Sequence, residues 1–170
     1  MFRIKIVSSP ENIERIGAAG SSRVMEAITA KMNLLMLKLQ SKIVGETIPA
    51  FFERGAPNIA ASVRAIPATT DGTTIRGNVE AGGPKTTKTV LHSGVEVDYA
   101  AVQEVGIYHS YRILPFNKKA LAFLLNEKLV IVRSVTHPGL KERPFMRYGL
   151  QEMETEIIEG LSKTLTEILS

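Results

Sequence analysis

The chain has 170 residues, 44% of them hydrophobic and 22% charged, which is enough to bury a core and argues against disorder throughout. It contains no cysteine, which excludes disulfides, thiolate zinc sites and thiol nucleophiles. The formal net charge is +4 but unevenly spread: residues 151–170 hold five glutamates and one lysine, and the cationic excess lies before them. A basic body can meet nucleic acid, but the favoured reading of this charge is a soluble protein with an acidic terminal helix.

The first residues, Phe2-Arg3-Ile4-Lys5-Ile6-Val7, alternate apolar and basic side chains and read as a short strand. They lack the continuous apolar segment of a signal peptide, and no later run approaches the roughly 20 apolar residues of a membrane-spanning helix. The expectation is a protein made and kept in the cytoplasm, with no membrane partner. Ser8-Ser9-Pro10-Glu11 pairs a serine cap with proline at the first helical position, which predicts a short helix to about Ile16.

A long helix is predicted over Arg23 to Glu46, because Val24, Ile28, Met32, Leu35 and Leu39 fall on one face at helical spacing. A second stripe, Ala30, Leu34, Leu37 and Val44, falls on much of the opposite side. A helix with two apolar faces is either sandwiched within its own chain or meets another subunit. Pro49 is expected to end it.

Residues 55–98 are rich in Gly, Thr and Pro, and Ile59 to Ile66, Thr73 to Val79 and Val95 to Val97 are strand candidates. Asp71-Gly72 is a hairpin-type turn signal. Residues 82–94 begin with breaker-rich polar sequence bearing Lys85 and Lys88, and are expected to form a mobile loop. Tyr99 to Val105 reads as a helical turn or short helix ending at Gly106. Ala120 to Leu125 and Lys128 to Val135 are strands joined at Asn126-Glu127, and their Leu, Phe, Val and Ile content suits a buried sheet. Pro144 opens the final helix, whose Met146, Leu150, Met153, Ile157, Leu161, Leu165 and Ile168 keep helical period, with Glu152, Glu156 and Glu159 on the far side. The expected fold is a single α+β domain over 1–170: a small mixed or antiparallel sheet packed against a long N-terminal helix and a C-terminal amphipathic helix. Residues 1–20 add the N-terminal strand and short helix.

Chemistry-bearing motifs are sparse. His92, His109 and His137 have no metal-ligand spacing, and His137 before Pro138-Gly139 reads as a local hydrogen-bonding residue. Lys85-Thr86 superficially fits a phosphate-binding loop, but Pro84 and Val79 stand where that loop requires glycines, and proline has no N–H to offer. Glu152, Glu156 and Glu159 share a helix face without a partnering histidine, as on a solvated face. No nucleophile elbow or nucleic-acid signature occurs, leaving scattered cations at Lys85, Lys88, Arg112, Lys118, Lys119, Arg133, Lys141, Arg143 and Arg147. Such charge can hold a phosphate backbone or pair with a neighbouring subunit. The expectation is no enzyme and no cofactor or metal.

Two stretches are more distinctive: Tyr99-Ala100-Ala101-Val102-Gln103-Glu104-Val105-Gly106, and His137-Pro138-Gly139-Leu140-Lys141-Glu142-Arg143-Pro144-Phe145-Met146 running into an amphipathic helix. In this order, with a strand pair between them, they resemble the tail-completion or head–tail joining proteins of long-tailed phages and the related virion-morphogenesis proteins. The resemblance implies a structural virion protein, assembled in the host cytoplasm, that forms a homo-oligomeric ring of hexamer-like symmetry around the DNA channel. It implies neighbouring neck or tail-tube proteins as partners, possible nonspecific contact with packaged DNA, and neither catalysis nor cofactor. Alternatives are a nonspecific DNA-binding accessory protein and a tail-terminator or minor tail assembly protein. Within the matched motif, Tyr99 and Phe145 are read as aromatic anchors of the core, Gly106 and Gly139 as turn glycines, and Glu104, Pro138, Arg143 and Pro144 as residues that specify the fold. A ring needs two different patches that meet. The candidates are Leu34 and Leu37, the loop carrying Lys85 and Lys88, and the acidic face of Glu152, Glu156 and Glu159.

Overall fold

A computed structural model describes residues 2–7, 18–71, 74–89, 96–115 and 118–169. The predicted helix of residues 10–16 lies outside these. The fold is α+β, with helices flanking small antiparallel sheets.

Helix α1 (Ala18–Lys42) runs longer than its sequence pattern predicts. A π-helical turn, Ile43–Thr47, carries it directly into α2 (Ile48–Phe51). Pro49 therefore does not end the helical segment. The Ile48 N–H donates back to the Ile43 carbonyl in the wide π turn, and Pro49, which has no N–H to continue that ladder, follows it at the start of α2.

The main sheet has three antiparallel strands in the order β1-β3-β2: β1 (Phe2–Val7), β2 (Arg64–Thr70) and β3 (Thr74–Glu80). Strand β2 starts later than the sequence suggests. Pro57–Ala60 forms a single helical turn, α3, because Pro57 sits in its first turn and presets the helical φ. The β2 register shifts between Ile66 and Thr69, around Pro67, as an edge strand with a missing donor permits.

Helix α1 is sandwiched. It packs on β2 and β3 on one side and on the terminal helix α5 (Phe145–Leu169) on another. Met32, Leu35, Met36, Leu39, Ile43, Ile75, Val79, Phe145, Met153 and Ile157 close the core between these layers. Polar side chains of α1 also serve the sheet. Asn33 Oδ1 accepts from the Ala68 N–H at 2.6 Å, and Gln40 Oε1 accepts from the Ala65 N–H at 3.0 Å, so β2 backbone donors are satisfied by the helix. No helix among the described residues is long and apolar enough to cross a membrane.

Sandwiching does not bury the second stripe. Leu34 and Leu37 remain 61% and 56% exposed, Ala30 is exposed, and only Val44 reaches the core's edge.

Residues 82–89, expected within a loop, contain a turn and a short strand. Strand β4 (Thr87–Thr89) pairs with β5 (Glu96–Asp98). Asp98 organises this region: Oδ1 accepts from the Thr86 hydroxyl at 2.7 Å and from the Ala100 N–H at 2.9 Å, and Oδ2 accepts from the Gly83 N–H at 3.1 Å. It thereby caps α4 (Tyr99–Val105) and holds the turn before β4. Residues 90–94 of the expected loop lie outside the described residues.

Candidate functional site

The most distinctive part of the molecule is a two-stranded excursion between Ile107 and Leu140. At its root these residues exchange backbone hydrogen bonds of 2.7 and 2.9 Å. Further out, β6 (Tyr111–Ile113) pairs with β9 (Val135–His137), and Tyr111 stacks on His137 with ring centroids 4.8 Å apart. At the end stands a hairpin, β7 (Leu121–Leu125) and β8 (Lys128–Val132). Its turn residues Asn126 and Glu127 take φ of 48° and 64°, the left-handed pair that suits a tight right-twisted hairpin.

This hairpin corrects the expectation of a buried sheet. Strands β7 and β8 pack on each other and make no substantial contact with another described element. The register puts Ala122, Leu124, Leu129 and Ile131 on one face, and Leu121, Phe123, Val130 and Val132 on the other. The first face is open: Leu124 is 72% exposed, and Leu129 and Ile131 are each 65% exposed. β-Branched and leucine-rich strands suit any apolar contact, so their composition does not distinguish a core within one chain from a surface covered by another.

The root is built from the two stretches that carry the resemblance. The Arg143 N–H donates to the Gln103 carbonyl at 2.7 Å, and the Arg143 guanidinium donates to Gln103 Oε1 at 3.0 Å. The same guanidinium lies over the Phe52 ring, 5.1 Å from its centroid, and Phe52 meets Phe145 edge-on. Both Glu104 oxygens accept from the first N–H groups of α5, at Met146 and Arg147. Pro144 immediately precedes that helix, and its carbonyl accepts from the Tyr148 N–H. His137 Nδ1 accepts from the Gly139 N–H at 3.2 Å, while Pro138 beside it is exposed.

Two glycines make the crossing possible. Gly106 has φ +73° and Gly139 has φ +107°, both in the region L side chains rarely adopt. A Cβ on Gly139 would fall 2.3 Å from the Ile107 carbonyl oxygen, and one on Gly106 would fall 2.7 Å from that of Leu140. Of the two aromatic residues, Phe145 is fully buried, but Tyr99 is 47% exposed and is not a core anchor. Tyr99 starts α4 directly after the Asp98 cap, with its ring near the surface beside Lys85, Lys88 and Ile59.

The other candidate residues separate into two regions. Lys85 reaches the Ala61 carbonyl and, with Lys88, lines a shallow depression against Ala56, Pro57 and Asn58. Glu152 and Glu156 are not simply turned away from the body: they bridge to Lys42 and Lys38 of α1. The Lys38 ammonium holds the Glu156 carboxyl below its ordinary range, and Glu46 and Glu152 together raise Lys42. Glu159 makes no ion pair among the described residues. Leu34 and Leu37 flank Lys38 on α1, so its bridge to Glu156 joins the open leucines to the carboxylates in one flank.

Leu124, Leu129 and Ile131 were not singled out from sequence. The hairpin has apolar residues on both faces, the pattern of a strand pair buried on both sides, so the sequence carried no signal of their exposure. Among the described residues no group of three or more His, Asp or Glu side chains is placed to hold a metal ion. No family model, curated protein or solved structure matches the chain.

Proposed function

We propose that this chain is a non-catalytic assembly protein of a phage virion, acting in the neck or at the tail end as a ring of identical subunits around the DNA channel. The observation that carries the reading is the joint built by its two most distinctive segments. Tyr99–Gly106 and His137–Met146 are separated by 30 residues of chain, yet they lock together through Gln103–Arg143, Glu104–Met146 and Ile107–Leu140. That joint fixes the base of an arm whose apolar tip makes little sense on a solitary monomer. The segments thus serve to aim a surface, as an assembly protein requires.

The test is mass photometry and negative-stain imaging across a concentration series, alongside a duplex-DNA titration at low and high salt. Closed rings that grow with concentration, with little DNA affinity, are expected. A protein that stays monomeric at every concentration and binds duplex DNA in a salt-sensitive way would overturn the reading in favour of a nonspecific DNA-binding accessory.

A further inference from the structure

We infer that the depression beside β4 binds an acidic peptide segment, with carboxylates on Lys85 and Lys88 and an apolar side chain on the floor between them. The inference stands apart from the assembly reading, because one copy holds the whole depression.

The depression measures about 390 Å³. Pro57 and the buried Ile59 supply an apolar floor, and Asn58, Lys85, Lys88 and Tyr99 stand exposed around it. No Asp or Glu lines it. Neither Lys85 nor Lys88 forms an ion pair among the described residues. The Lys85 ammonium donates to the Ala61 carbonyl at 3.3 Å, which holds it at the rim with donors to spare. Acids close in sequence do not cancel this charge. In the β4–β5 register Lys88 stands opposite Val97, while Asp98 and Glu96 stand opposite Thr87 and Thr89, on the other face of the pair. Asp98 is also taken up by Thr86, Gly83 and Ala100. The rim is therefore cationic and uncompensated, and an anionic partner is the one it attracts.

The backbone favours carboxylate over phosphate. A phosphate-binding loop aims several free N–H groups at its ligand. Here the N–H of Gly82 is spent on the Ser62 hydroxyl, that of Gly83 on Asp98, and those of Thr86 and Thr87 on the Gly83 carbonyl, while Pro84 has none. The Thr86 hydroxyl is spent on Asp98. Donors on flexible lysine stems remain, and these act as point charges that suit single carboxylates. Shape favours a segment over a free small acid. A small-molecule site encloses most of its ligand, whereas this depression is shallow and open. An extended chain laid across it seats one side chain against Ile59 and the Tyr99 ring while flanking acids meet the two lysines.

The probe is a short, terminally blocked peptide alternating glutamate and phenylalanine, labelled with fluorescein and titrated by anisotropy against the whole chain. Saturable, salt-sensitive binding is expected, abolished by glutamine in place of glutamate and weakened by serine in place of phenylalanine. Lys88→Glu should weaken binding by about tenfold, the loss of one charge-assisted hydrogen bond. Lys141→Glu makes the same change in net charge at an exposed position outside the depression and should leave binding unchanged. Equal weakening by the two variants, or no binding to wild type, overturns the inference. Wild-type protein gives a second measurement that does not depend on a variant folding. A zero-length amine–carboxylate crosslinker joins the unlabelled peptide to it, and links at Lys85 and Lys88 are expected in excess over links at Lys118, Lys119 and Lys141. An even spread overturns the inference. Displacement of the peptide by glutarate or inorganic phosphate at matching concentration overturns it in favour of a small-anion site, and displacement by a thymidine oligonucleotide in favour of nucleic acid.

Discussion

Glu104 caps the helix that begins at Met146, across 42 residues of sequence: one carboxylate oxygen accepts from the Met146 N–H at 2.9 Å and the other from the Arg147 N–H at 3.1 Å. A helix N-terminus leaves its first N–H groups without intrahelical partners and carries partial positive charge, so a carboxylate there satisfies both needs. Since α5 is one wall of the core and α4 leads into the arm, this contact ties the arm's root to the core. Glu104→Ala is expected to cost about 1–2 kcal/mol in urea unfolding. Glu104→Gln, which keeps an acceptor and loses the charge, should cost less. Equal losses for the two would show that the cap acts through shape and not through its carboxylate.

The arm's root should be intolerant of side chains at its crossing. Gly139→Ala places a methyl against the Ile107 carbonyl at a φ of +107°. The expected loss is about 1–3 kcal/mol, from backbone strain of this kind, with a further contribution from displacing Ile107. Gly45→Ala is the control, because nothing lies within 4 Å of a Cβ at Gly45 and its backbone is helical. That variant should be neutral or slightly stabilising. Thermal melts of both decide the point, and a harmless Gly139→Ala would mean that the root is not tightly closed.

Much of this fold was legible in the sequence, and what was not has specific causes. The α1 and α5 stripes could be read because helical period marks a buried face whatever lies opposite; Met32, Leu35, Leu39, Met153 and Ile157 all reach the core. The β7–β8 turn could be read because Asn126-Glu127 sits between two apolar runs. Two errors came from proline. Pro49 ends a regular helical pattern but not a helix that has already widened into a π turn, and Pro57 opens a helical turn where β-like residues follow. The exposure of Leu124 and the partial exposure of Tyr99 were illegible because residue type sets what a side chain can bury, while topology decides whether anything covers it. The Glu104 cap escaped local reading because ordinary capping signals lie within one turn of the helix they cap.

The difference between the two aromatic residues of the motif predicts a large asymmetry. Phe145 is 0% exposed and packs edge-on against Phe52. Phe145→Ala should destabilise by about 3–5 kcal/mol, the cost of emptying a large buried site. Tyr99→Ala should cost well under half of that. Chemical denaturation of the two variants would settle whether Tyr99 is a surface residue; comparable losses would restore it to the core.

Asp98 makes stability depend on acid in a calculable direction. Burial pushes its carboxyl up, but hydrogen bonds from the Thr86 hydroxyl and the Gly83, Ala100 and Ala101 N–H groups outweigh this and hold it below its ordinary value. A carboxyl with a depressed folded-state pKa contributes stability above its unfolded value, about 3.9, and loses it as pH falls through the folded value. Asp98→Asn should therefore be less stable than wild type at pH 7, and the gap should narrow below about pH 4. Urea unfolding at pH 7 and at stepwise lower pH measures it. A gap independent of pH would place the loss in side-chain shape and not in the charge.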